Sequence, residues 1–115
     1  MKIPESVRIG GVEYAVDYVP NLRHGNLMAY GHIDFEDCEI LLSDTDGTAH
    51  QKRCLILWHE ILHGILYHMG YELEEEQEEE LVDLFARGVY QVLQDNGGRF
   101  FDLKEVAPNE DWQLV

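Results

Sequence analysis

The sequence predicts an α+β fold, a small antiparallel sheet packed on a helix that carries an H-E-x-x-H motif, with a second helix lying antiparallel to the first. Three observations lead there. Residues 6–43 alternate apolar and polar side chains between turn residues, as short half-buried strands do. Residues 48–69 repeat Leu55, Ile56, Trp58, Ile61, Leu62, Ile65, Leu66 and Met69 at helical spacing. A second helical pattern follows Gly70 and carries Leu81, Val82, Phe85, Val89, Val92 and Leu93 on one side.

The elements follow in order. Residues 6–19 alternate around Gly10-Gly11, a dipeptide that accepts positive φ at both positions of a two-residue hairpin turn. Val12, Tyr14, Val16 and Tyr18 then share one face. Pro20 ends this run, and residues 21–26 read as a loop turning at Gly25, with His24 a loop side chain that is either simply exposed or able to approach a substrate. Residues 27–35 and 38–43 form a second antiparallel hairpin about Glu36-Asp37, leading directly into the motif helix. Ser43, Asp44, Thr45 and Asp46 are candidate caps and Gly47 a bend, so this helix spans about 48–69 and stops at Gly70. The acidic D-x-D-G fragment here lacks the remaining ligands of a calcium loop. The second helix has Glu-rich early turns, which suit the positive end of its dipole, and is expected to end at Asn96-Gly97-Gly98. Phe100, Phe101 and Leu103 are expected to dock on the core, and residues from about 105 to 115 to form a flexible tail.

At 115 residues the chain is expected to form one domain. Its 23 acidic against 8 basic side chains give a net charge of −15, which repels phosphate backbones and anionic headgroups and argues against direct nucleic-acid or membrane binding. No stretch has the apolar length of a membrane span or of a secretory leader. Cys38 and Cys54 have no C-x-x-C partner and fit a reducing, cytoplasmic setting as small buried side chains.

The candidate chemistry lies in HEILHG, residues 59–64. A helix advances about 100° per residue, so His59 and His63 project from one face a turn apart and suit two positions of a tetrahedral zinc. Glu60 stands beside them as a candidate general base. A catalytic zinc takes three protein ligands, so a third is needed. If the two helices fold back about residue 71, positions equidistant from the fold lie at one height, pairing His63 with Glu79 and His59 with Asp83. Glu79 is then the expected third ligand and Asp83 the acceptor for the free ring N–H of a zinc-bound histidine. Glu80 and Glu76 are the main alternatives, with Glu75 and Glu78 in the same run. His68, about 140° round the helix from His63, points away. Tyr30, His32 and Tyr90 are candidates for binding substrate or steadying an oxyanion.

His59, Glu60 and His63, followed by Glu79, Asp83, Phe85 and Ala86, resemble the gluzincins, and among these the ImmA/IrrE family of minimal zincins, over roughly residues 27–93. The resemblance implies a zinc-dependent metalloendopeptidase acting on a protein or peptide, commonly a repressor-type regulator of phage, mobile-element or stress genes. Within these residues it departs from the family pattern, with no Leu-Met-Pro segment after the second helix and no helix-turn-helix or sensor domain expected from the sequence. In such peptidases an edge strand pairs with the substrate backbone, which makes a strand just before the motif helix the expected platform. The rival expectation is a non-catalytic metal-binding or acidic protein-interaction module.

Overall fold

The computed structural model describes residues 1–44 and 47–100. Strand β1 (Ser6–Ile9) turns at Gly10-Gly11, with φ of +58° and +81°, into β2 (Val12–Val19), in the register Ser6 opposite Ala15 and Ile9 opposite Val12. Positive φ at both turn residues gives the primed turn whose twist matches its strands. Tyr14 and Val16 are buried on the shared face as expected, but Tyr18 lies past the end of β1 and is 45% exposed, with the Arg53 guanidinium 5.4 Å from its ring centroid.

The chain then departs from the expected loop and long strand. β3 (Arg23–His24) and β4 (Leu27–Met28) make a separate two-stranded ribbon, whose neck is closed by Ala29 N–H donating to the Leu22 carbonyl at 3.0 Å. Only after this break does β5 (Gly31–Asp34) begin. The Asp34 carboxylate accepts from the amides of Glu36 and Asp37, both at 2.9 Å, and shapes the turn into β6 (Glu39–Ser43). The side-chain oxygen thus supplies the acceptor that a backbone turn lacks here.

The four-stranded sheet has the order β1-β2-β6-β5. The α+β architecture stands, but the sheet is mixed rather than wholly antiparallel: the second hairpin docks by its second strand, so β6 runs parallel to β2, with Ala15 opposite Glu39 and Val19 opposite Ser43. β6 is therefore central, with Ile40 and Leu42 fully buried, and β5 occupies an edge. With Ile9, Tyr14, Val16, Ile33 and Leu57 these residues form the core.

Helix α1 (His50–His68) covers one face of the sheet. It starts two residues later than expected, on Ala49, with no side-chain cap; Thr45 and Asp46 lie outside the described residues. Its end is as the sequence reads. Gly70 adopts φ +68°, Gly70 N–H donates to the Tyr67 carbonyl and Tyr71 N–H to the Leu66 carbonyl, both at 3.1 Å, the paired bonds of a Schellman stop. Helix α2 (Glu75–Phe100) returns antiparallel and packs chiefly on α1, burying Val82, Ala86 and Tyr90. It runs through Asn96-Gly97-Gly98 rather than ending there. Asn96 Nδ2 donates to the Val92 carbonyl at 3.0 Å, and two helical glycines cost about 1 kcal/mol each without forbidding the conformation. Phe101, Leu103 and the tail lie outside the described residues. Among the described residues, no helix is long and apolar enough to cross a membrane.

Gly64 sets the distance between α1 and the sheet, since a Cβ there would lie 2.8 Å from Ile9 Cδ1 and 3.1 Å from Ile33 Cδ1. Gly64→Ala is expected to destabilise the fold by about 1–3 kcal/mol through overpacking. Gly88→Ala, where an added Cβ meets nothing within 4 Å, is expected to stabilise it by about 0.5–1 kcal/mol. Urea unfolding of both variants checks this pair of opposite signs.

Candidate metal centre

An open cleft lies where α1 forms the floor, α2 one wall and β5 with the β3–β4 ribbon the other. In its middle the fold brings together the three side chains that the helix register pairs. His63 Nε2 is 2.9 Å from Glu79 Oε1, His59 Nε2 is 3.3 Å from Glu79 Oε2, and the two Nε2 atoms are 3.3 Å apart. Four-coordinate zinc with bonds of 2.0–2.1 Å places its donor atoms about 3.3 Å from one another. The spacing and the two-imidazole, one-carboxylate set therefore fit that ion. Glu76 and Glu80 are exposed and do not line the cleft, whereas Glu75 and Glu78 do.

His63 Nδ1 lies 2.6 Å from Glu78 Oε2. A carboxylate only accepts, so Nδ1 carries a proton, and Nε2 is the ring atom turned toward Glu79 and His59. At 2.9 Å from Glu79 Oε1, Nε2 either donates its own N–H to that oxygen or shares a cation with it. Protonation of His59 is disfavoured: burial first and the neighbouring His63 charge next lower its pKa, while Glu79 and Asp83 act in the opposite direction.

Glu78 holds the position that the sequence argument assigns to Asp83. Asp83 lines the cleft and acts on His59 through its charge, but its Oδ2 is 3.1 Å from Arg87 Nη2, one turn along α2. Helix register fixes height along the axis, and Asp83 has the expected height; the carboxylate that meets a ring N–H is the one whose direction and reach are right, which is Glu78.

Glu60 is 7% exposed and makes no hydrogen bond or ion pair among the described residues. Burial, with a smaller contribution from the Glu79 charge, pushes its pKa up to about 7, against a lowering by His63. Without a metal, this carboxyl is therefore close to balance between its two protonation states near neutrality. Gly31 makes room for it: a Cβ there would lie 2.6 Å from Ile56 Cγ2 and 3.0 Å from Glu60 Oε2, so the backbone of edge strand β5 passes directly over the acid.

Tyr30 and His32 both line the cleft. Tyr30 is exposed, with Lys52 Nζ 4.0 Å from its ring centroid, and the His32 ring lies 6.0 Å from that of His24. Tyr90 does not line the cleft. It is eleven residues beyond Glu79, about 16 Å along the axis, where it is buried and hydrogen-bonded to Cys54. His68 points away as expected, its Nε2 2.7 Å from the Tyr14 hydroxyl. His24, on the ribbon, does line the cleft, while the sequence reading missed Glu78 as the partner of His63 and Gly31 as the close approach of β5. Only Gly31 left a signal, a glycine inside a strand pattern. No protein family, no characterised protein and no solved structure matches the chain.

The Glu60 shift gives a stability prediction for the metal-free protein. Its folded pKa, about 7, exceeds the ordinary 4.5, so its contribution favours folding below pH 4.5 and is lost as pH rises through 7. Relative to Glu60→Gln, metal-free wild type should lose up to about 3 kcal/mol between pH 4.5 and 8. Chemical denaturation of both proteins in chelator across that range checks it; parallel profiles would show that Glu60 titrates normally.

Proposed function

We propose that this chain is a zinc-dependent metalloendopeptidase of the gluzincin kind, cutting a peptide bond within a protein or peptide bound in the cleft. The observation that carries this reading is a buried, unpartnered Glu60 beside a three-donor cluster in an open cleft. A structural metal site closes its coordination with protein groups and has no use for such an acid. Zinc held by His59, His63 and Glu79 supplies Lewis acidity toward water and a carbonyl oxygen. The chain's own groups supply the rest. Glu60 accepts the proton of the attacking water at its carboxylate and returns it to the leaving amine. Glu78 holds His63 in the tautomer that offers Nε2 outward. The free edge of β5 aligns an extended substrate by backbone hydrogen bonds, with Tyr30 or His32 donating to the oxygen that becomes negative.

The resemblance of His59, Glu60, His63, Glu79 and Asp83 to the ImmA/IrrE pattern supports the same reading, and makes a repressor-type regulator in the cytoplasm its proposed substrate. The strong negative charge supports a protein rather than a nucleic acid in the cleft. One observation favours a second reading, an interaction module. Leu84, Phe85, Val92 and Phe100 are exposed along α2, away from the cleft.

Protein purified without added metal is expected to carry about one zinc per chain by mass spectrometry. His59→Ala should lose it and Glu79→Ala should bind it more weakly. Glu78→Gln, which weakens the hold on the His63 N–H, should lower zinc affinity by about 10- to 100-fold. Glu60→Gln should keep the metal and lose about 10²- to 10⁴-fold in turnover of any peptide substrate. A wild-type chain that took up no zinc on titration would sink the peptidase reading and leave the interaction module.

A further inference from the structure

The cleft has a direction, and its two ends differ in charge. Gly31 approaches Ile56 and Glu60, Ile33 lies against Gly64, and the Phe35 ring stacks on Tyr67 with centroids 3.9 Å apart. β5 therefore runs in the same sense as α1. α2 runs the opposite way, with Glu78 and Glu79 at His63 and Arg87 two turns further toward the start of α1. Three of the carboxylates in the cleft are already engaged: Glu78 and Glu79 by the histidines, Asp83 by Arg87. Glu75 is not; it lines the cleft at the Phe35 end without a hydrogen bond or ion pair among the described residues. At the other end Lys52 lines the cleft, its ammonium over the Tyr30 ring and with no carboxylate partner among the described residues. Between them sits Glu60, buried, unpartnered and facing the same cleft.

We propose that the cleft selects an extended substrate with charges in a fixed order, a basic side chain before the scissile bond, read by Glu75, and an acidic side chain or free carboxylate after it, read by Lys52. The proposal rests on the peptidase reading for the position of the cut. A segment pairing with the free edge of β5 does so more stably antiparallel than parallel. Its N-terminal part then lies at the Phe35 and Glu75 end and its C-terminal part at the Gly31 and Lys52 end. Glu75 is one helical turn from Glu79, about 6 Å, which equals about two residues of strand. Lys52 is seven residues before His59, about 10 Å, or about three residues of strand. The basic residue is accordingly about two positions before the bond and the acidic one about three after it. A protein of net charge −15 adds a long-range attraction for a basic segment, but only the two ends of the cleft specify an order.

The test uses the full chain loaded with zinc and quenched fluorescent peptides in which one Lys and one Glu are separated by three to six uncharged residues, Lys first or Glu first. Lys-first peptides make two exposed ion pairs where Glu-first peptides meet like charges, so they should have kcat/KM about tenfold above Glu-first peptides. The double variant Glu75→Lys, Lys52→Glu should reverse that order. Asp95→Asn, which changes the net charge by the same unit as a single neutralisation but lies far along α2, should leave the ratio unchanged. The same peptides are titrated by anisotropy against zinc-loaded Glu60→Gln, where the Lys-first set should bind about tenfold tighter. Equal or reversed preference in that titration, or an unchanged order in the double variant, overturns the proposal while leaving the peptidase reading intact. Zinc-loaded wild type that cuts neither set sinks the peptidase reading instead, and the binding ratio still decides the order of charges.

Discussion

The antiparallel docking of α2 on α1 is the constraint on which the candidate site depends. A Schellman stop at Gly70 and a connection of only residues 69–74 fix where α2 begins, and the burial of Val82, Ala86 and Tyr90 fixes its rotation. Given both, Glu79 has one height and one direction available, and these put its carboxylate across from His59 and His63. Neither helix makes the cluster alone. Moving α2 by one residue would swing Glu79 through about 100° and replace it with an exposed neighbour.

The cleft opposes the stability that this docking supplies. Two imidazoles and a buried carboxyl share the middle of α1, where an ordinary helix would place apolar side chains, and a carboxylate of α2 meets them there. Glu60 is the clearest case, since its burial is unfavourable whenever it is ionised. The surrounding packing holds it there regardless. Gly31 and Gly64 bring the sheet so close to α1 that little room remains for either side chain or strand to move away. The rest of the core is well filled, with Leu57, Ile40 and Leu42 fully buried. A buried acid maintained against its own solvation is more readily understood as a group that works than as one that supports the fold.

Much of this was legible in the sequence, for identifiable reasons. The H-E-x-x-H spacing and the stop at Gly70 are properties of a single helix, and helix geometry is regular enough for a reflection about residue 71 to bring Glu79 opposite His63. The same arithmetic gave Asp83 the right height but could not give it the right contact. Height is one coordinate, whereas a hydrogen bond needs direction and reach as well, and Arg87 one turn away holds the Asp83 carboxylate. Tyr90 failed for the opposite reason, with a suitable direction on α2 but three turns of distance. Apolar patterning located the strands, yet it did not reveal the break at Ala29-Tyr30 or the small ribbon, because Leu27-Met28-Ala29-Tyr30 is a continuous apolar run that reads as strand although Leu27 and Met28 are exposed.

Strand order was the least legible property, and it has the largest consequence for the cleft. Alternation says which residues face a core and nothing about which neighbour a strand takes. A simple antiparallel meander would have put β5 between β2 and β6, with both edges satisfied and no backbone free beside Glu60. In that arrangement β6, the strand leading into α1, would have been the edge. The parallel pairing of β2 with β6 reverses these places. It buries β6, leaves β5 with one unpaired edge, and aligns that edge over α1 through Gly31 and Ile33. An exposed strand edge is a liability unless something covers or uses it. Here the edge is four residues long and borders the wall of the cleft that faces Glu79, so the topology places a template for an extended chain directly beside the buried acid. The pairing that the alternating pattern could not disclose is therefore what turns a cluster of three donor atoms into a cleft with room, direction and a backbone to bind against.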